Sequence, residues 1–444
     1  MKRRCGHRAL PGSKRDDQTI AEHTEYGSAS NEVPDPAVLR AALVETLRSK
    51  GSLGSPAIAE AFAAVPRHLF VPDVSVEDAY RDRWIATKRL ADGDVVSSSS
   101  QPEIMAIMLE QLDVRPGQRV LEVGAGTGYN AALLAHLVGP AGRVTTIDID
   151  DDIAAAARTH LHTAGVTGVR VVCADGWAGD PKDAPYDRII LTVGAADISP
   201  AWRAQLAPSG RLLLPLSLPA VQASVAFDDR DGSLESVSVR GCIFMRLRGA
   251  AAPPVRRVAV GPEPAPGVWP RAGHIVDGAA VHALLQTSRH ELPTGLVAPV
   301  HDLYDGLVAW LGLHEPTSAW FIAQGTAVAT DLVPAFFVAG SDEATSTYGF
   351  FEPGGVALLV RAATTPTAAD GSIHIGVRVH GDAAVGERLR TRTVAWHEAG
   401  RPSLRRLRVR VYPIEYPYEP QAGEIVLMRP CTRLVLDWPS SSRA

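Results

Sequence analysis

Paired cysteines are missing from this 444-residue sequence. Its four cysteines lie far apart and form no C-x-x-C pair: Cys5, Cys173, Cys242 and Cys431. That spacing favours neither a disulfide framework nor a zinc site, so we nominate no metal ligands. A chain without disulfides fits a reducing compartment, and the sequence therefore predicts a cytoplasmic protein.

Long apolar runs are missing as well. No stretch approaches the roughly 20 apolar residues that a membrane-spanning helix needs. The opening segment, "MKRRCGHRALPGSKRDDQ", is basic but lacks the apolar stretch of a secretory signal. We therefore expect neither a membrane span nor secretion.

Lysine is also scarce, and there is no excess of positive charge. Lysine occurs at only five positions, and the net charge of the chain is −5. Such a balance gives no bulk attraction to nucleic acid or to an anionic membrane, so neither is an expected partner. Hydrophobic residues make up 46% of the chain, enough for a sizeable core, and the length favours two folded units.

The composition changes several times along the chain. Residues 1–33 are polar without periodicity, which predicts a disordered lead-in. Residues 34–250 open with two short helices, each begun by proline, and continue into the alternating pattern described next. Residues 251–270 are rich in Pro and Gly and predict a linker. Residues 271–444 predict an α+β accessory domain, whose helix candidates are 279–288, 301–313 and 384–399 and whose strand candidates are 319–324, 334–340, 356–362, 372–379 and 407–414.

Short apolar runs alternate with helical segments in the first half of the chain. The strand candidates are 119–124, 143–148, 169–174, 187–194 and 211–216. Strands rich in Val, Ile and Leu are buried on both faces, and their alternation with helices predicts a parallel, doubly wound α/β sheet. Two further runs, 221–229 and 234–249, have no helix between them and predict a hairpin at the sheet edge.

A glycine turn, "VLEVGAGTGYN" (120–130), joins the first strand to a helix. Gly124, Gly126 and Gly128 allow a tight turn and let a ligand lie against main-chain N–H groups at the helix N-terminus. Taken alone the turn is a weak sign of a ligand, because a tight strand-to-helix connection needs glycine too.

Acidic residues strengthen the ligand interpretation. Glu122 precedes the glycines, Asp148 ends the second strand, and Asp175 with Gly176 ends the third. Ligands of open α/β sheets bind outside the carboxyl ends of the strands, so we expect these acids on one crevice rim. They repel a pyrophosphate and suit ribose hydroxyls, an adenine amino group and a positive charge, which S-adenosylmethionine combines. The predicted cofactor-binding residues are Glu122, Gly124, Gly126, Gly128, Asp148, Asp175 and Gly176.

At this point the sequence resembles the protein-L-isoaspartate (D-aspartate) O-methyltransferases. The resemblance covers residues 55–245 and rests on segments in the family's order: "VPRHLFVP" (65–72), "AYRD" (79–82), "SSQPEIMAIMLEQL" (99–112), "VLEVGAGTGYNAALLAHLVG" (120–139), "ADGWAG" (174–179), "APYDRIILTVGA" (184–195) and "LAPSGRLLLPL" (206–216). The Ser-Gln-Pro followed one helix later by the glycine loop is far more specific than the loop alone. The resemblance implies a Rossmann-like methyltransferase sheet with an additional α+β C-terminal domain.

The resemblance also implies an acceptor site. A serine directly before Gln-Pro or Ala-Pro lies beside the methyl donor in this family, which implies Ser100 as the catalytic residue and Ser99 and Gln101 as substrate-binding neighbours. Pro102 begins a helix, so Ser100 precedes a helix N-terminus, where donors can hold a carboxylate. One departure is Asp148, where the family usually has glutamate.

The implied function is S-adenosylmethionine-dependent methylation of isoaspartyl or aspartyl side chains of proteins or peptides. The methyl ester then leads through a succinimide to repair or isomerisation. Similar long forms accompany ribosomally made peptides, and we expect residues 271–444 to select the acceptor without carrying methyl transfer. Two alternatives stay open: a non-catalytic peptide-binding protein on the same fold, and a nicotinamide-dependent oxidoreductase.

Overall fold

A computed structural model describes most of the chain, namely residues 35–91, 93–230, 232–252, 257–271, 273–339, 344–362 and 371–439. The predicted lead-in at 1–33 lies outside the described residues.

The helices begin where local signals predict. They are α1 Pro36–Ser49, α2 Pro56–Ala64, α3 Val76–Ala79, α4 Pro102–Leu112, α5 Tyr129–Val138, α6 Asp151–Thr163, α7 Pro200–Gln205, α8 Gly278–Leu285, α9 Val300–Asp302, α10 Ala309–His314 and α11 Ala383–Glu398. A π-helical turn, Leu303–Val308, joins α9 to α10. Asp35 caps α1 by accepting from the Ala37 N–H at 2.8 Å, and the helix candidates beyond residue 271 correspond to α8, α9–α10 and α11.

The strands fall into three sheets among the described residues. They are β1 Ile85–Arg89, β2 Val95–Ser99, β3 Arg119–Val123, β4 Arg143–Asp148, β5 Val169–Cys173, β6 Tyr186–Leu191, β7 Leu206–Ser217, β8 Gln222–Arg230, β9 Ser233–Cys242, β10 Val258–Ala259, β11 Gly267–Pro270, β12 Arg289–Pro299, β13 Ser318–Gln324, β14 Phe337–Ala339, β15 Ala344–Glu352, β16 Gly355–Arg361, β17 Ser372–Gly381, β18 Arg408–Pro413, β19 Ile425–Met428 and β20 Thr432–Asp437. The smallest sheet is the antiparallel pair β1–β2.

The largest sheet is the predicted doubly wound one. Its strand order is β19-β20-β18-β9-β8-β7-β6-β3-β4-β5, with parallel pairing from β7 through β5. The chain runs outward from β3 to β5 and then returns to place β6 on the other side of β3. A crevice therefore opens at the carboxyl end of β3, where open α/β sheets bind their ligands.

The hairpin β8–β9 extends this sheet as predicted, but it is not the edge. Strand β18 pairs antiparallel with β9, with Arg410 opposite Glu235 and Val411 opposite Leu234, and β20 and β19 follow. The C-terminal region therefore contributes β18, β19 and β20 to the largest sheet. Residues on both sides of the predicted boundary at 250 share this sheet. The physical reason is that β9 offers an open edge that alternating strands can pair with.

The second large sheet has the order β10-β11-β13-β15-β16-β17-β12, with β14 paired to β15. Strands β10 and β11 fall inside the predicted linker 251–270, so this segment is partly built into the sheet. Strand β12 was absent from the strand candidates because Pro293, Gly295 and Pro299 interrupt it. An edge strand tolerates such residues, and the register shifts between Pro293 and Leu296.

One hydrophobic cluster runs through both large sheets. It joins buried Leu212 of β7 with Leu307 of the π-helical turn, Leu389 of α11, Val377 of β17 and Val411 of β18. A shared core of this kind means that the two halves of the chain stabilise each other.

Candidate active site

A cavity of about 840 Å³ opens at the carboxyl ends of β3 and β4. Its walls come mainly from three parts of the chain: the glycine turn, the end of β2 with the start of α4, and a third wall formed by residues 243–248, which follow β9. Tyr304 and Asp305 of the π-helical turn complete the lining. The volume lies within the range of small-molecule binding sites.

The glycine turn forms the floor of this cavity. Of its three glycines, two line the cavity and the third does not. Gly124 and Gly126 line the cavity. Gly124 has a φ of +103°, and a Cβ there would lie 2.5 Å from the Thr192 Oγ1, so no side chain fits. Gly128 instead lies against α6, where a Cβ would meet the Ala157 carbonyl oxygen at 3.3 Å. Its role is close helix packing, and it does not line the cavity.

Glu122 lies behind the glycine turn and does not line the cavity, in contrast to its predicted contact with the cofactor. It is fully buried. One carboxylate oxygen accepts from the Asn130 Nδ2 at 2.7 Å and the other from the Thr146 hydroxyl at 2.6 Å. The side chain thus ties the start of α5 to β4 and shapes the turn from beneath.

Burial raises the pKa of Glu122 from its usual 4.5 to about 7. The folded protein therefore binds this proton more tightly than the unfolded chain, and the group's contribution to stability falls as the pH rises from about 4.5 to 7. Glu122→Gln removes that titration, so between pH 5 and pH 8 we expect the wild type to lose up to about 3 kcal/mol more unfolding free energy than the variant. Urea unfolding at both pH values measures this, and parallel pH curves would contradict it.

Asp148 lines the cavity at the end of β4, as predicted. Its Oδ2 accepts from the Gly126 N–H at 3.0 Å and its Oδ1 from the Asp150 N–H at 3.3 Å. Burial raises the pKa of Asp148. Beyond it, Asp150 pairs with Arg248 at 2.8 Å and with Lys88 at 3.2 Å. The Asp148 carboxylate is thus positioned beside the glycine turn with lone pairs available to ribose hydroxyls.

We expect Asp148→Ala to raise the dissociation constant of the methyl donor about tenfold or more. The substitution leaves a donor hydroxyl of the ligand without its acceptor in a half-buried site, which costs about 1–3 kcal/mol. Calorimetry with S-adenosylhomocysteine measures the change. Asp187→Ala, at the opposite end of the sheet, is the matched control, and equal affinity in both folded variants would rule out this pocket.

Asp175 lies directly before Gly176 of the cavity lining, and its predicted contact with the cofactor stays a prediction. Its Oδ1 accepts from the Trp177 N–H at 2.9 Å and its Oδ2 from the Ala250 N–H at 2.8 Å. It is not among the residues that line the cavity, whereas Gly176 is. Residues 249 and 250, which follow the cavity wall at 243–248, pack against the carboxylate. A Cβ on Gly249 would lie 2.5 Å from the Asp175 Oδ2. Asp175 therefore caps a turn and anchors that segment.

The serine run forms the end of β2 and alternates in its environment. Ser97 and Ser99 are buried, whereas Ser98 and Ser100 are half-buried. The Ser97 hydroxyl accepts from the Thr87 hydroxyl at 2.9 Å, and the Ser99 hydroxyl accepts from the Arg67 Nη2 at 3.3 Å. The Ser99 hydroxyl therefore accepts from the protein itself, but Ser99 also lines the cavity, and its contact with substrate stays a prediction.

Ser98 and Ser100 both line the cavity without a side-chain hydrogen bond to any residue that the structure describes, and Ser100 is the one that directly precedes Gln101 and Pro102. The Ser100 carbonyl oxygen accepts from the Arg67 Nη2 at 3.0 Å, which fixes the main chain. A hydroxyl on a fixed main chain is suited to orient a second reactant.

Helix α4 begins at Pro102 as predicted, but the Asp82 carboxylate already lies at its N-terminus. The Asp82 Oδ1 accepts from the Glu103 N–H at 2.9 Å, and Lys50 bridges Asp82 and Glu103 at 2.6 and 2.8 Å. The Gln101 amide donates to the Asp82 Oδ2 at 3.3 Å. Gln101 therefore supports this cluster while also lining the cavity, and the Glu103 N–H is not offered to an acceptor carboxylate.

Arg67 supports the main chain of the site, and we did not nominate it from the sequence. It is 0% exposed. It donates to the carbonyl oxygens of Ala79 at 2.9 Å, Arg81 at 3.2 Å, Arg83 at 3.3 Å and Ser100 at 3.0 Å. One guanidinium thus joins the loop before β1 to the serine run, and burial lowers the pKa of Arg67. A signal existed, because arginine inside the apolar segment "VPRHLFVP" must find partners when buried.

The C-terminal region also reaches the cavity. Tyr304 and Asp305 line it, and the Tyr304 ring lies 6.1 Å from the Trp320 ring of β13. No sequence pattern predicted this role for Tyr304 and Asp305, because the sequence of a π-helical turn is not distinguishable from that of an ordinary apolar α-helix.

Two further properties concern the described residues only. They contain no group of three or more His, Cys, Asp or Glu side chains arranged to hold a metal ion. Nor does any helix among them combine the length and apolar character that a bilayer crossing requires.

Comparison with known proteins places the motifs in a family. A family profile, protein-L-isoaspartate (D-aspartate) O-methyltransferase, matches residues 39–252. A protein-L-isoaspartate O-methyltransferase of Methanopyrus kandleri is 41% identical over 212 residues, 47% of this chain and 91% of the relative. The enzyme of that name from Methanoculleus marisnigri is 39% identical over 203 residues, 46% of this chain and 88% of the relative.

A solved protein-L-isoaspartate O-methyltransferase structure aligns over 84% of this chain and 96% of its own, with 24% identity and a TM-score of 0.46. The relative from Methanopyrus kandleri is matched nearly end to end, and the residues matched by the family profile, 39–252, include the glycine turn and the serine run. The chain therefore belongs to the protein-L-isoaspartate (D-aspartate) O-methyltransferase family, as its motifs predict, and is a methyltransferase that uses S-adenosylmethionine.

Proposed function

We propose that this protein transfers a methyl group from S-adenosylmethionine to the free carboxylate of an isoaspartyl or aspartyl residue in a protein or peptide. One observation carries the proposal. The serine run lies directly against the glycine turn, since a Cβ on Gly126 would lie 3.4 Å from the Ser98 carbonyl oxygen, and Ser100 lines the same cavity. Donor and acceptor can therefore meet within one cavity.

The residues present fit the methyl donor. Gly124 and Gly126 leave main-chain atoms open to close approach, and Asp148 supplies a carboxylate for ribose hydroxyls. S-adenosylmethionine, when bound, supplies an electrophilic methyl group on a positively charged sulfur. Asp148 also favours that charge, because its carboxylate lines the cavity and accepts from the Gly126 N–H of the glycine turn.

Ser100 has the central role on the acceptor side. Its hydroxyl donates a hydrogen bond to one carboxylate oxygen, which leaves the other oxygen free to attack the methyl carbon in line with the breaking bond. A carboxylate has an ordinary pKa of about 4, so it is already an anion at neutral pH and needs no general base. Holding both reactants in this geometry can supply on the order of 7–11 kcal/mol of the barrier.

The ester product explains how methylation changes the acceptor chain. An ester has a better leaving group than a carboxylate, so the neighbouring main-chain nitrogen attacks the ester carbonyl, loses its proton and expels methanol. A succinimide forms, and water opens it to aspartate or isoaspartate. These steps proceed after release and ask nothing of the protein.

Incubation with isoaspartyl and aspartyl peptides of one sequence, together with S-adenosylmethionine, tests the proposal. We expect a mass gain of one methyl group on a peptide, followed by loss of methanol. A folded protein that binds S-adenosylhomocysteine but methylates neither these peptides nor isoaspartate-rich aged proteins would contradict it.

Ser100→Ala is expected to lower turnover by roughly tenfold to a hundredfold, because one hydrogen bond to a charged group contributes about 1.5–3 kcal/mol. Affinity for the methyl donor should stay nearly unchanged, since the hydroxyl serves the acceptor. Ser97→Ala is the matched control, because the Ser97 hydroxyl is bonded to Thr87. Equal losses of turnover in the two variants would contradict the assignment.

The acceptor of this chain is expected to be selected in part by residues 271–444. The presence of Tyr304 and Asp305 in the cavity wall supports this, because an acceptor peptide next to Ser100 must pass the surface that they help to form. A dedicated peptide partner and damaged proteins in general are both compatible with this selection.

A further inference from the structure

The third wall of the cavity, residues 243–248, is held rigidly. The Phe244 N–H donates to the Gln222 Oε1 at 2.5 Å, and the Gln222 Nε2 donates back to the Phe244 carbonyl oxygen at 3.4 Å. Further along, the Gly194 N–H donates to the Met245 carbonyl oxygen at 2.7 Å, and the Leu247 N–H donates to the Gly194 carbonyl oxygen at 2.8 Å. Arg246 therefore extends from a main chain that is fixed on both sides.

Arg246 differs from the other charged side chains of the cavity wall. Each of those has a compensating neighbour: Glu103 has Lys50, Asp148 has the Gly126 N–H, Arg248 has Asp150, and Asp305 has the charges of Arg405 and Arg240 nearby. Arg246 has no carboxylate within 4 Å among the residues that the structure describes. It is the cation of the described wall whose charge is left for a ligand.

The surroundings of Arg246 are those of the cavity mouth. Its side chain is exposed although it lines the cavity. Two large apolar side chains of the lining are also exposed, Ile243 at 80% and Trp84 at 55%. An adenosine held in the crevice would contact the deeper groups at Asp148, whereas a peptide that brings a carboxylate to Ser100 must cross this rim.

We propose that Arg246 binds a second acidic group of the acceptor peptide, next to the residue that is methylated. The proposal rests on the proposed function and adds the chemistry of the acceptor to it. A guanidinium forms two parallel hydrogen bonds to one carboxylate, which gives both affinity and a fixed orientation. The reacting carboxylate itself is a poorer partner for Arg246, because two hydrogen bonds from the guanidinium would engage the oxygen that attacks the methyl carbon. Trp84 and Ile243 then contact the neighbouring apolar parts of the peptide.

A set of isoaspartyl peptides that differ at one flanking residue tests this. Glu, Gln or Lys is placed on either side of the isoaspartyl residue in turn, and kcat/KM is measured for each peptide. For the better flank we expect the wild type to prefer Glu over Gln about fivefold, mainly through KM, and to disfavour Lys. Salt should weaken the preference, since a pair at an exposed rim is screened.

Arg246→Glu should reverse the order, with Lys preferred over Glu, and Arg246→Gln should abolish it. Arg119→Glu is the matched control, because Arg119 is also exposed but begins β3 at the opposite end of the sheet. A wild type that methylates all the peptides without preference, or an Arg246→Glu variant that keeps the original preference, would overturn the inference while leaving the proposed function standing. Loss of S-adenosylhomocysteine binding in Arg246→Gln would overturn it too, since the guanidinium would then serve the donor. Failure of the wild type to methylate any peptide would overturn the proposed function and the inference together.

Discussion

Replacing Arg67 with methionine is expected to lower the free energy of unfolding by about 3–5 kcal/mol. Methionine fills a similar volume but donates no hydrogen bond, so the carbonyl oxygens of Ala79, Arg81 and Ser100 lose a donor inside the protein. Each buried acceptor left alone costs about 1–3 kcal/mol, and not every one can find water. Few single substitutions outside a hydrophobic core reach this size.

The same variant should lose most of its methyl transfer even where it stays folded. The Ser100 main chain is held through the Arg67 Nη2, so the hydroxyl of Ser100 would no longer be fixed against the donor. Urea unfolding followed by circular dichroism measures the stability, and peptide methylation at a temperature below the transition measures the activity. Arg119→Met, on an exposed side chain, should stay within about 0.5 kcal/mol of the wild type. A stable and fully active Arg67→Met variant would show that the buried guanidinium does not organise the acceptor loop.

Local signals in the sequence predicted most of the helices and most strands of the largest sheet. Proline at the first helical position marks Pro36, Pro56 and Pro102 because its fixed φ and missing N–H are tolerated there and nowhere deeper in a helix. The apolar runs that become β3, β4 and β6 are buried on both faces, which makes them visible without any partner. The confirmed α/β fold class follows from these neighbouring residues alone.

The orientation of the acids at the strand ends could not be predicted in the same way. Sequence position brings Glu122, Asp148 and Asp175 to one edge of the sheet, but hydrogen-bond partners decide which carboxylate is free. Asn130 and Thr146 engage Glu122, and the main chain of Ala250, 75 residues further on, engages Asp175. A motif therefore gives the place of an acid, whereas its role depends on residues that only the fold brings near.

The C-terminal contributions are non-local for the same reason. Strands β19 and β20 are short, and nothing in their sequence tells which sheet they join. Tyr304 and Asp305 reach the cavity because the π-helical turn packs against the end of β9, where a Cβ on Gly241 would clash with the Asp305 carboxylate. That close approach depends on a glycine more than 60 residues away. The contact between the π-helical turn and β9 therefore cannot be predicted from either segment alone.

The tertiary structure also changes what we expect from a chain that ends near residue 250. Such a chain would retain the predicted methyltransferase domain, and from the sequence alone it should still bind the methyl donor if it folds. In the structure it would lose β18, whose main chain pairs with β9 and whose Val409 N–H donates to the Ser236 hydroxyl at 2.8 Å. An open hydrophobic edge and an uncovered core favour aggregation.

We therefore expect the truncated chain to be insoluble or to lack a cooperative unfolding transition. The buried leucines of β7, Leu212 and Leu216, belong to a hydrophobic cluster that includes residues beyond 300. Buried Asp197 would also lose the hydrogen bond that the Cys431 N–H donates to its Oδ2 at 2.6 Å. Burial of one large aliphatic side chain contributes about 1.5–3 kcal/mol, so losing several such contacts exceeds the usual stability of a domain. Soluble yield, thermal unfolding and S-adenosylhomocysteine calorimetry on the truncated and full-length chains measure the effect. A soluble truncated protein with the full-length unfolding temperature and donor affinity would mean that residues 39–252 fold independently, and that the C-terminal half only adds to an already complete enzyme.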